Sequence, residues 1–316
     1  MMRTILQSIL TLILASVITV LTGCQPQVPV FVTQFAWSTN TPFQPVIPTA
    51  TLTPQPTHTP TETPTPFPTE TPMPEPTQTN PPEPSVVTEL PTEEVAAGEV
   101  TVPILLYHHI SDTIDTQYNV HPDRFAEQMK WLHEQGYSTI TIADVARLIR
   151  EGGELPGRPV VLTFDDGYLD VFKNAFPIMQ QYGFVGTFFI IGETIDVTQN
   201  LSTKNLKKLI KNGWEIGSHS MTHIDLKQGN SWEFEIIGSK NLLEEKLGVP
   251  IVTFAYPYGL ADAAVIRYTI DAGYTSAVGL GSNVTHNANT LYFLNRKEVK
   301  SWYGLDFFED FMPWTD

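Results

Sequence analysis

Cysteine is scarce in this sequence, with Cys24 alone among 316 residues. A single cysteine excludes an internal disulfide and a zinc site built from several thiolates, so any metal must be held by histidine and carboxylate. Basic residues are also few, with 18 Lys and Arg against 34 Asp and Glu, for a net charge of −16. Because so acidic a chain repels phosphate backbones, we expect no nucleic-acid partner. Apolar residues are plentiful, at 41%, which is enough for a sizeable core.

The amino-terminal segment has the pattern of a secretory signal. Arg3 precedes an apolar run over residues 9–21, which is short for a membrane-spanning helix. The run ends in the letters LTGC, which resemble a bacterial lipobox with cleavage before Cys24. We therefore predict a lipoprotein signal peptide over residues 1–23 and a membrane anchor through lipidated Cys24. A plain signal peptide or an uncleaved anchor is the alternative.

The next segment, residues 24–100, has the composition of a linker. Of the 26 prolines in the chain, 18 lie in residues 25–100, together with 17 threonines and no Lys or Arg. Since proline fixes φ and removes a backbone donor, the segment is predicted to be extended, solvated and disordered. The remaining residues, 101–316, are predicted to form a monomeric globular domain. The expected location is extracytoplasmic, on a lipid anchor at the cell membrane.

Strands and helices alternate along the globular part. The apolar run PVVLTF over residues 159–164 is typical of a strand that is buried on both faces. The alternation ends in a strand near residues 291–295 and a helix near residues 304–311, after a polar segment, residues 282–289, that we interpret as a loop. Alternating strands and helices imply a parallel sheet, and so many units in so short a segment favour a small barrel. Active residues of such barrels lie at the carboxyl ends of the strands.

Two polar motifs follow predicted strands. The letters TFDDGY end one strand with the adjacent carboxylates Asp165 and Asp166, and the letters GSHSMTH place His219 and His223 four residues apart. Taken singly, the first motif also suits a turn or helix cap, and the second a buried histidine beside an exposed one. Together they supply two imidazoles and a carboxylate. That set binds a metal and leaves coordination positions open for water and substrate.

In this order and spacing, the two motifs resemble those of the NodB-homology polysaccharide deacetylases, carbohydrate esterase family 4. The resemblance extends over about residues 101–300. The letters FAYPYG, residues 254–259, resemble the family's Pro-Tyr-Gly motif in the substrate groove. The letters PILLYHHI, residues 103–110, resemble the opening of the branch that includes poly-β-1,6-N-acetylglucosamine deacetylases. The family fold is an α/β fold, a distorted (β/α) barrel, in agreement with the pattern of elements.

The resemblance implies a role for each motif residue. Asp165 corresponds to the catalytic base, and Asp166, His219 and His223 correspond to the metal ligands. The implied cofactor is a divalent metal, Zn²⁺ in the first place, with Co²⁺, Ni²⁺ or Mn²⁺ as alternatives. The implied activity is hydrolysis of acetyl groups on N-acetylated or O-acetylated polysaccharide at the cell surface. This makes the chain a hydrolase of linear amide C–N bonds other than peptide bonds.

The substrate groove is also implied, with one departure from the family pattern. Pro257 and Tyr258 correspond to the groove motif, with the Tyr258 backbone N–H facing the oxyanion, and Tyr168 lies inside the first motif. Many family members have an arginine that contacts the catalytic aspartate at the position of Ala255. Arg296 is a candidate substitute, and a surface charge at a strand end is the alternative interpretation.

The general acid is the second departure, because the family's carboxyl-terminal Leu-x-His element is absent. In the poly-N-acetylglucosamine branch the early Tyr-His supplies this group, which implies His108 here. The alternatives are a structural His108, with His286 or water as the acid.

Two other functions compete with hydrolysis: a non-catalytic, lipid-tethered glycan-binding module, and a structural wall-attachment lipoprotein. Peptidoglycan, poly-N-acetylglucosamine, chitooligosaccharides and acetyl-xylan all remain open as substrates.

Overall fold

A computed structural model describes residues 92–229 and 231–314. The predicted signal peptide, Cys24 and most of the predicted linker lie outside the described residues. Within the described part, no helix has the length and apolar character needed to cross a membrane.

In the described chain, seven parallel strands close into a barrel. Each strand pairs with the next along the chain, and the last pairs with the first through Lys297 and Leu105. The strands are β1 (Ile104–Tyr107), β2 (Pro159–Phe164), β3 (Thr187–Ile190), β4 (Glu215–Ser218), β5 (Thr253–Ala255), β6 (Ser276–Leu280) and β7 (Leu294–Glu298). All six residues of β2 are buried, as its continuous apolar run predicts. The predicted (β/α) barrel is confirmed.

Helices surround the barrel and begin at recognisable caps. Thr141 and Asp144 form a capping box at the second helix, and Ser202 and Asn205 form one at the fourth. The helices are α1 (Pro122–Glu134), α2 (Ile142–Glu151), α3 (Phe176–Gln181), α4 (Thr203–Lys211), α5 (Ser239–Leu247), α6 (Ala263–Asp271) and α7 (Leu305–Phe311). Two π-helical turns, Val171–Ala175 and Glu233–Gly238, lead into α3 and α5.

The core has two parts, because successive strand residues point to opposite faces. One cluster packs the helices on the outside of the barrel, where Phe164 and Phe254 contribute from the strands. The other cluster joins alternate strand residues such as Val161 and Phe189 to the apolar face of α2. We interpret this second cluster as the filled interior of the barrel, with α2 at its amino-terminal end.

Three boundaries differ from those predicted. The last strand begins at Leu294 rather than near residue 291, because a turn in which Thr290 bonds to Asn287 precedes it. The predicted loop at residues 282–289 contains the strand Thr285–His286, which pairs with Val100–Thr101.

A strand is also present before residue 101, where the globular part was predicted to begin. Residues Glu93–Val95 pair with Gly153–Leu155, although we assigned them to the linker. Residues 92–100 contain no proline, so each of them has a backbone N–H group that can donate in a strand ladder.

Candidate active site

The predicted site residues meet at the carboxyl ends of the barrel strands. Asp165 and Asp166 follow β2, His219 follows β4, and Pro257 and Tyr258 follow β5. Asp166 has a left-handed backbone with φ 70°, which aspartate tolerates better than most residues. Both carboxylates lie near His219, whose Nε2 atom is 3.6 Å from Asp165 Oδ2 and 3.5 Å from Asp166 Oδ1.

Asp166, His219 and His223 offer three metal-ligating atoms within 4.8 Å of one another. The Asp166 Oδ1 atom lies 3.5 Å from His219 Nε2 and 3.7 Å from His223 Nε2. This oxygen is buried and has no hydrogen-bond partner within the described residues. Because an unsatisfied buried carboxylate oxygen is costly, its surroundings fit a cation.

The two imidazoles are also suited to bind a cation. His219 Nδ1 lies 2.8 Å from the Ala255 carbonyl oxygen and donates to it, which leaves the Nε2 lone pair directed toward Asp166. Burial lowers the pKa of His223, and neighbouring His219 lowers it further. The His223 ring therefore favours the neutral form that a metal requires.

Arg296 holds the remaining carboxylate. Its Nη1 and Nη2 atoms donate to the two Asp165 oxygens at 2.7 and 2.8 Å. The Arg296 side chain is 1% exposed, so the interpretation as a surface charge is wrong. Arg296 also donates to the Thr163 hydroxyl at 3.2 Å and lies over the Phe189 ring. It reaches Asp165 from β7, whereas Ala255 of β5 has no side chain long enough to do so.

This ion pair sets the charge of Asp165. Burial alone would raise the pKa of its carboxyl, but Arg296 and then His219 outweigh burial and hold the pKa at about 2. Asp165 is therefore ionised from mildly acidic pH upward.

Replacing Arg296 with methionine is expected to destabilise the domain and to move the acid limb of kcat/KM to higher pH. A buried carboxylate without its partner costs about 3–5 kcal/mol of unfolding free energy. Burial then raises the Asp165 pKa above its ordinary value, so the base is lost at a pH where the wild type keeps it. Denaturant unfolding and a pH profile measure the two effects. R296K, which keeps the charge but not the bidentate geometry, should recover part of each. An unmoved acid limb in R296M would contradict this account.

His108 lies at the same end of the barrel, directly after β1. Burial lowers the pKa of His108, while Asp165 and Asp166 act in the opposite direction. Its Nδ1 atom is 3.8 Å from Glu298 Oε1 and is otherwise unpartnered in the described region. Glu298 in turn pairs with Lys300. His108 is thus near both carboxylates, as an acid for the leaving group would need to be.

The groove residues flank this centre. The Tyr258 ring is 56% exposed and its centroid lies 4.7 Å from that of His223, while Pro257 beside it is buried. Tyr168 stacks on His109 with centroids 3.7 Å apart. Burial raises the pKa of the Tyr168 hydroxyl, and Asp166 raises it further.

The pair of His109 and Asp170, which supports Tyr168, was not predicted from the sequence. His109 Nδ1 lies 2.7 Å from Asp170 Oδ2, and Asp170 also accepts from the Ile110 N–H. No local signal in the sequence points to this pair, because His109 and Asp170 are 61 residues apart.

His286 lies elsewhere and is not the general acid. Its strand pairs with Val100–Thr101, and its Nε2 atom lies 3.2 Å from the Val102 carbonyl oxygen, before β1 begins. This is the amino-terminal end of the barrel, opposite the carboxylates. Burial lowers the pKa of His286 to about 4.

A closed parallel barrel with a carboxylate, two histidines and a separate aspartate at its carboxyl end is the arrangement that the motif resemblance predicts. Residues 152–277 match the sequence model of the polysaccharide deacetylase family. This segment is thus similar to a polysaccharide deacetylase domain, in agreement with the family and the enzyme class predicted from the motifs.

Relatives and solved structures agree with this family. A poly-β-1,6-N-acetyl-D-glucosamine N-deacetylase of Staphylococcus aureus is 29% identical over 204 residues, covering 59% of this chain and 70% of the relative. A polysaccharide deacetylase from Bacillus cereus superposes with a TM-score of 0.61 and 28% identity, covering 68% of this chain and 69% of that one. A Streptococcus pyogenes deacetylase in complex with acetate gives a TM-score of 0.62 at 25% identity, covering 67% and 98%.

Proposed function

We propose that this domain hydrolyses acetyl groups from N-acetylated polysaccharide with the help of a divalent cation, Zn²⁺ in the first place. The observation that carries the proposal is the cluster of Asp166, His219 and His223 beside an ionised, arginine-bound Asp165. Three protein ligands leave positions open for water and substrate, which is the arrangement of catalytic rather than structural metal sites.

Each group has a role in the proposed reaction. When bound, the cation polarises the acetyl carbonyl and makes a neighbouring water acidic enough to lose a proton to a weak base. Asp165 takes that proton on a carboxylate oxygen while Arg296 keeps the carboxylate in place. The water oxygen bonds to the acetyl carbon, and the C–N bond breaks as His108 gives a proton to the leaving nitrogen. The Tyr258 backbone N–H stabilises the negative charge on the acetyl oxygen, and Tyr168 lines the groove.

N-acetylated glycans are the proposed substrate class. The Staphylococcus aureus relative is named for a poly-N-acetylglucosamine, and the streptococcal structure contains acetate, the product of deacetylation. An acetate-release assay on poly-N-acetylglucosamine, peptidoglycan, chitooligosaccharides and acetyl-xylan, with and without chelator, tests the proposal. Release that chelator abolishes and Zn²⁺ restores is expected. Bound metal without release from any of the four would favour the glycan-binding module instead.

We also propose that the domain acts as a monomer outside the cytoplasm, tethered to the membrane through lipidated Cys24. Support comes from the lipobox-like letters and the Pro/Thr-rich composition of the following segment. The cation-binding cluster is assembled within one chain, so it needs no second copy. Mass spectrometry of the mature amino terminus tests the lipid, and light scattering tests the oligomeric state.

Replacing His108 with alanine is expected to slow hydrolysis of an N-acetyl sugar by roughly 10²–10⁴-fold, because an amine cannot leave without a proton. An activated aryl acetate, whose leaving group departs unaided, should be affected far less. Steady-state kinetics on the two substrates measures the difference, with cation content as the control. Equal losses on both would assign His108 a positioning or folding role.

A further inference from the structure

The five residues 219–223, here called the histidine loop, carry both predicted imidazole ligands. Ser220 and His223 have left-handed backbones, with φ of 63° and 62°. Neither is glycine, so this shape is not the one the loop would choose locally. Groups elsewhere in the domain must hold it.

Glu235 supplies part of that restraint, beside the N–H groups of Gly192 and Glu193, which donate to the Ser220 and Met221 carbonyl oxygens. One of its oxygens accepts from the backbone N–H groups of Met221 and Thr222, at 3.0 and 2.9 Å. The other oxygen accepts from the Thr222 hydroxyl at 2.6 Å. The residue is 2% exposed, and these three donors all belong to the two residues between Ser220 and His223. A buried carboxylate with three donors gives strong, directional hydrogen bonds.

The helical segment that carries Glu235 is itself tied to the strand before the loop. The Ser239 hydroxyl lies 2.6 Å from the Glu235 carbonyl oxygen and 2.7 Å from the Ser218 hydroxyl, and Ser218 is the last residue of β4. The Tyr274 hydroxyl donates to the Ile236 carbonyl at 2.9 Å. The carboxylate is therefore held at a constant position relative to the residue that precedes His219.

We propose that Glu235 is a positioning residue that sets the geometry of the histidine loop for cation binding. Within the described residues it makes no hydrogen bond or ion pair with either imidazole, and it acts through Met221 and Thr222, two of the three residues between them. The proposal rests on one part of the proposed function, namely that the histidine loop holds a cation. It predicts that loss of the carboxylate weakens the cation site of a folded protein, whereas a purely structural role would lower the melting temperature alone.

The test compares E235Q with the matched control E233Q in the full-length protein. Glu233 lies in the same π-helical turn and is exposed, so E233Q removes an equal charge without touching the loop. Competition with a chromophoric chelator measures Zn²⁺ affinity at a temperature where all variants are folded. We expect E235Q to bind Zn²⁺ about 10- to 100-fold more weakly than the wild type, and E233Q to match the wild type. In the metal-free protein, the Met221 and Thr222 amides should exchange faster in E235Q, with β4 unaffected.

A second variant keeps the proposal falsifiable if E235Q does not fold. T222V removes the shortest of the three hydrogen bonds but keeps the branched shape of the side chain. It should weaken Zn²⁺ binding measurably, though less than E235Q. Wild-type affinity in T222V, or in folded E235Q, overturns the proposal. A wild-type protein that binds no Zn²⁺ overturns the proposed cation site and this inference with it, so the two failures are distinguishable.

Discussion

Replacement of His219 by alanine is expected to remove the bound cation and with it all measurable acetate release, while the barrel stays folded. His219 is 2% exposed, and its Nε2 atom lies 3.5 Å from Asp166 Oδ1, so alanine leaves the cluster with two of its three ligand side chains. The lost contact to the Ala255 carbonyl costs about 1–3 kcal/mol of unfolding free energy. The apolar clusters of the barrel do not include His219, so its loss leaves them intact. Metal analysis after dialysis, acetate release and circular dichroism measure the three effects.

H286A is a matched control for H219A. His286 is also buried, and its ring also contacts a backbone carbonyl, that of Val102, but at the opposite end of the barrel. H286A should therefore lose a comparable amount of stability and keep both cation and activity. Stoichiometric cation in H219A would show that the ligand assignment is wrong. Loss of cation in both variants would show a general effect of destabilisation.

Replacement of Asp165 by asparagine is expected to keep the cation and to lower turnover by roughly 10²–10⁴-fold, the usual contribution of a placed general base. Asparagine preserves the shape of the side chain and can still accept one hydrogen bond from Arg296, but it cannot take a proton at neutral pH. Asp165 is not among the three clustered ligand residues, so the affinity for the cation should change much less than turnover. Turnover under saturating Zn²⁺, together with cation content, measures the effect.

The neighbouring variant D166N makes the test specific. Asp166 belongs to the ligand cluster, so D166N should lose cation first and recover some activity at high Zn²⁺. D165N should not recover, because its defect is in proton transfer. Near-normal acetate release by D165N would mean that Asp165 is structural and that another group acts as the base.

The local sequence already determined the ligand candidates and the class of fold. Asp165 and Asp166 end an apolar run, and His219 follows another predicted strand, so the place of these residues at strand ends could be predicted from short segments. Regular alternation of strands and helices was sufficient to predict a parallel barrel, because such an alternation has few ways to bury its apolar surface.

Only the tertiary structure decided which distant groups complete the site. Arg296 is 131 residues from Asp165 in the sequence, and its strand starts at Leu294 rather than near residue 291 as predicted. The pairing of Leu280 with Arg296, and the closure of β7 onto β1, turn that side chain into the barrel. A shift of one residue would have turned it outward, since strand side chains alternate between faces.

The role of Glu235, on a helical segment, could not be predicted from the sequence either. In the sequence it is one of several acids on an amphipathic segment, and nothing local distinguishes it from exposed Glu233. Its carboxylate can be buried because N–H groups of the histidine loop donate to it. The packing of β4 against α5, which includes the contact between the Ser218 and Ser239 hydroxyls, brings these donors close to Glu235. The residue types that form the site are therefore encoded in short motifs. The charges that support them are set by register and packing, because a buried charge is stable only where the whole fold places its partner.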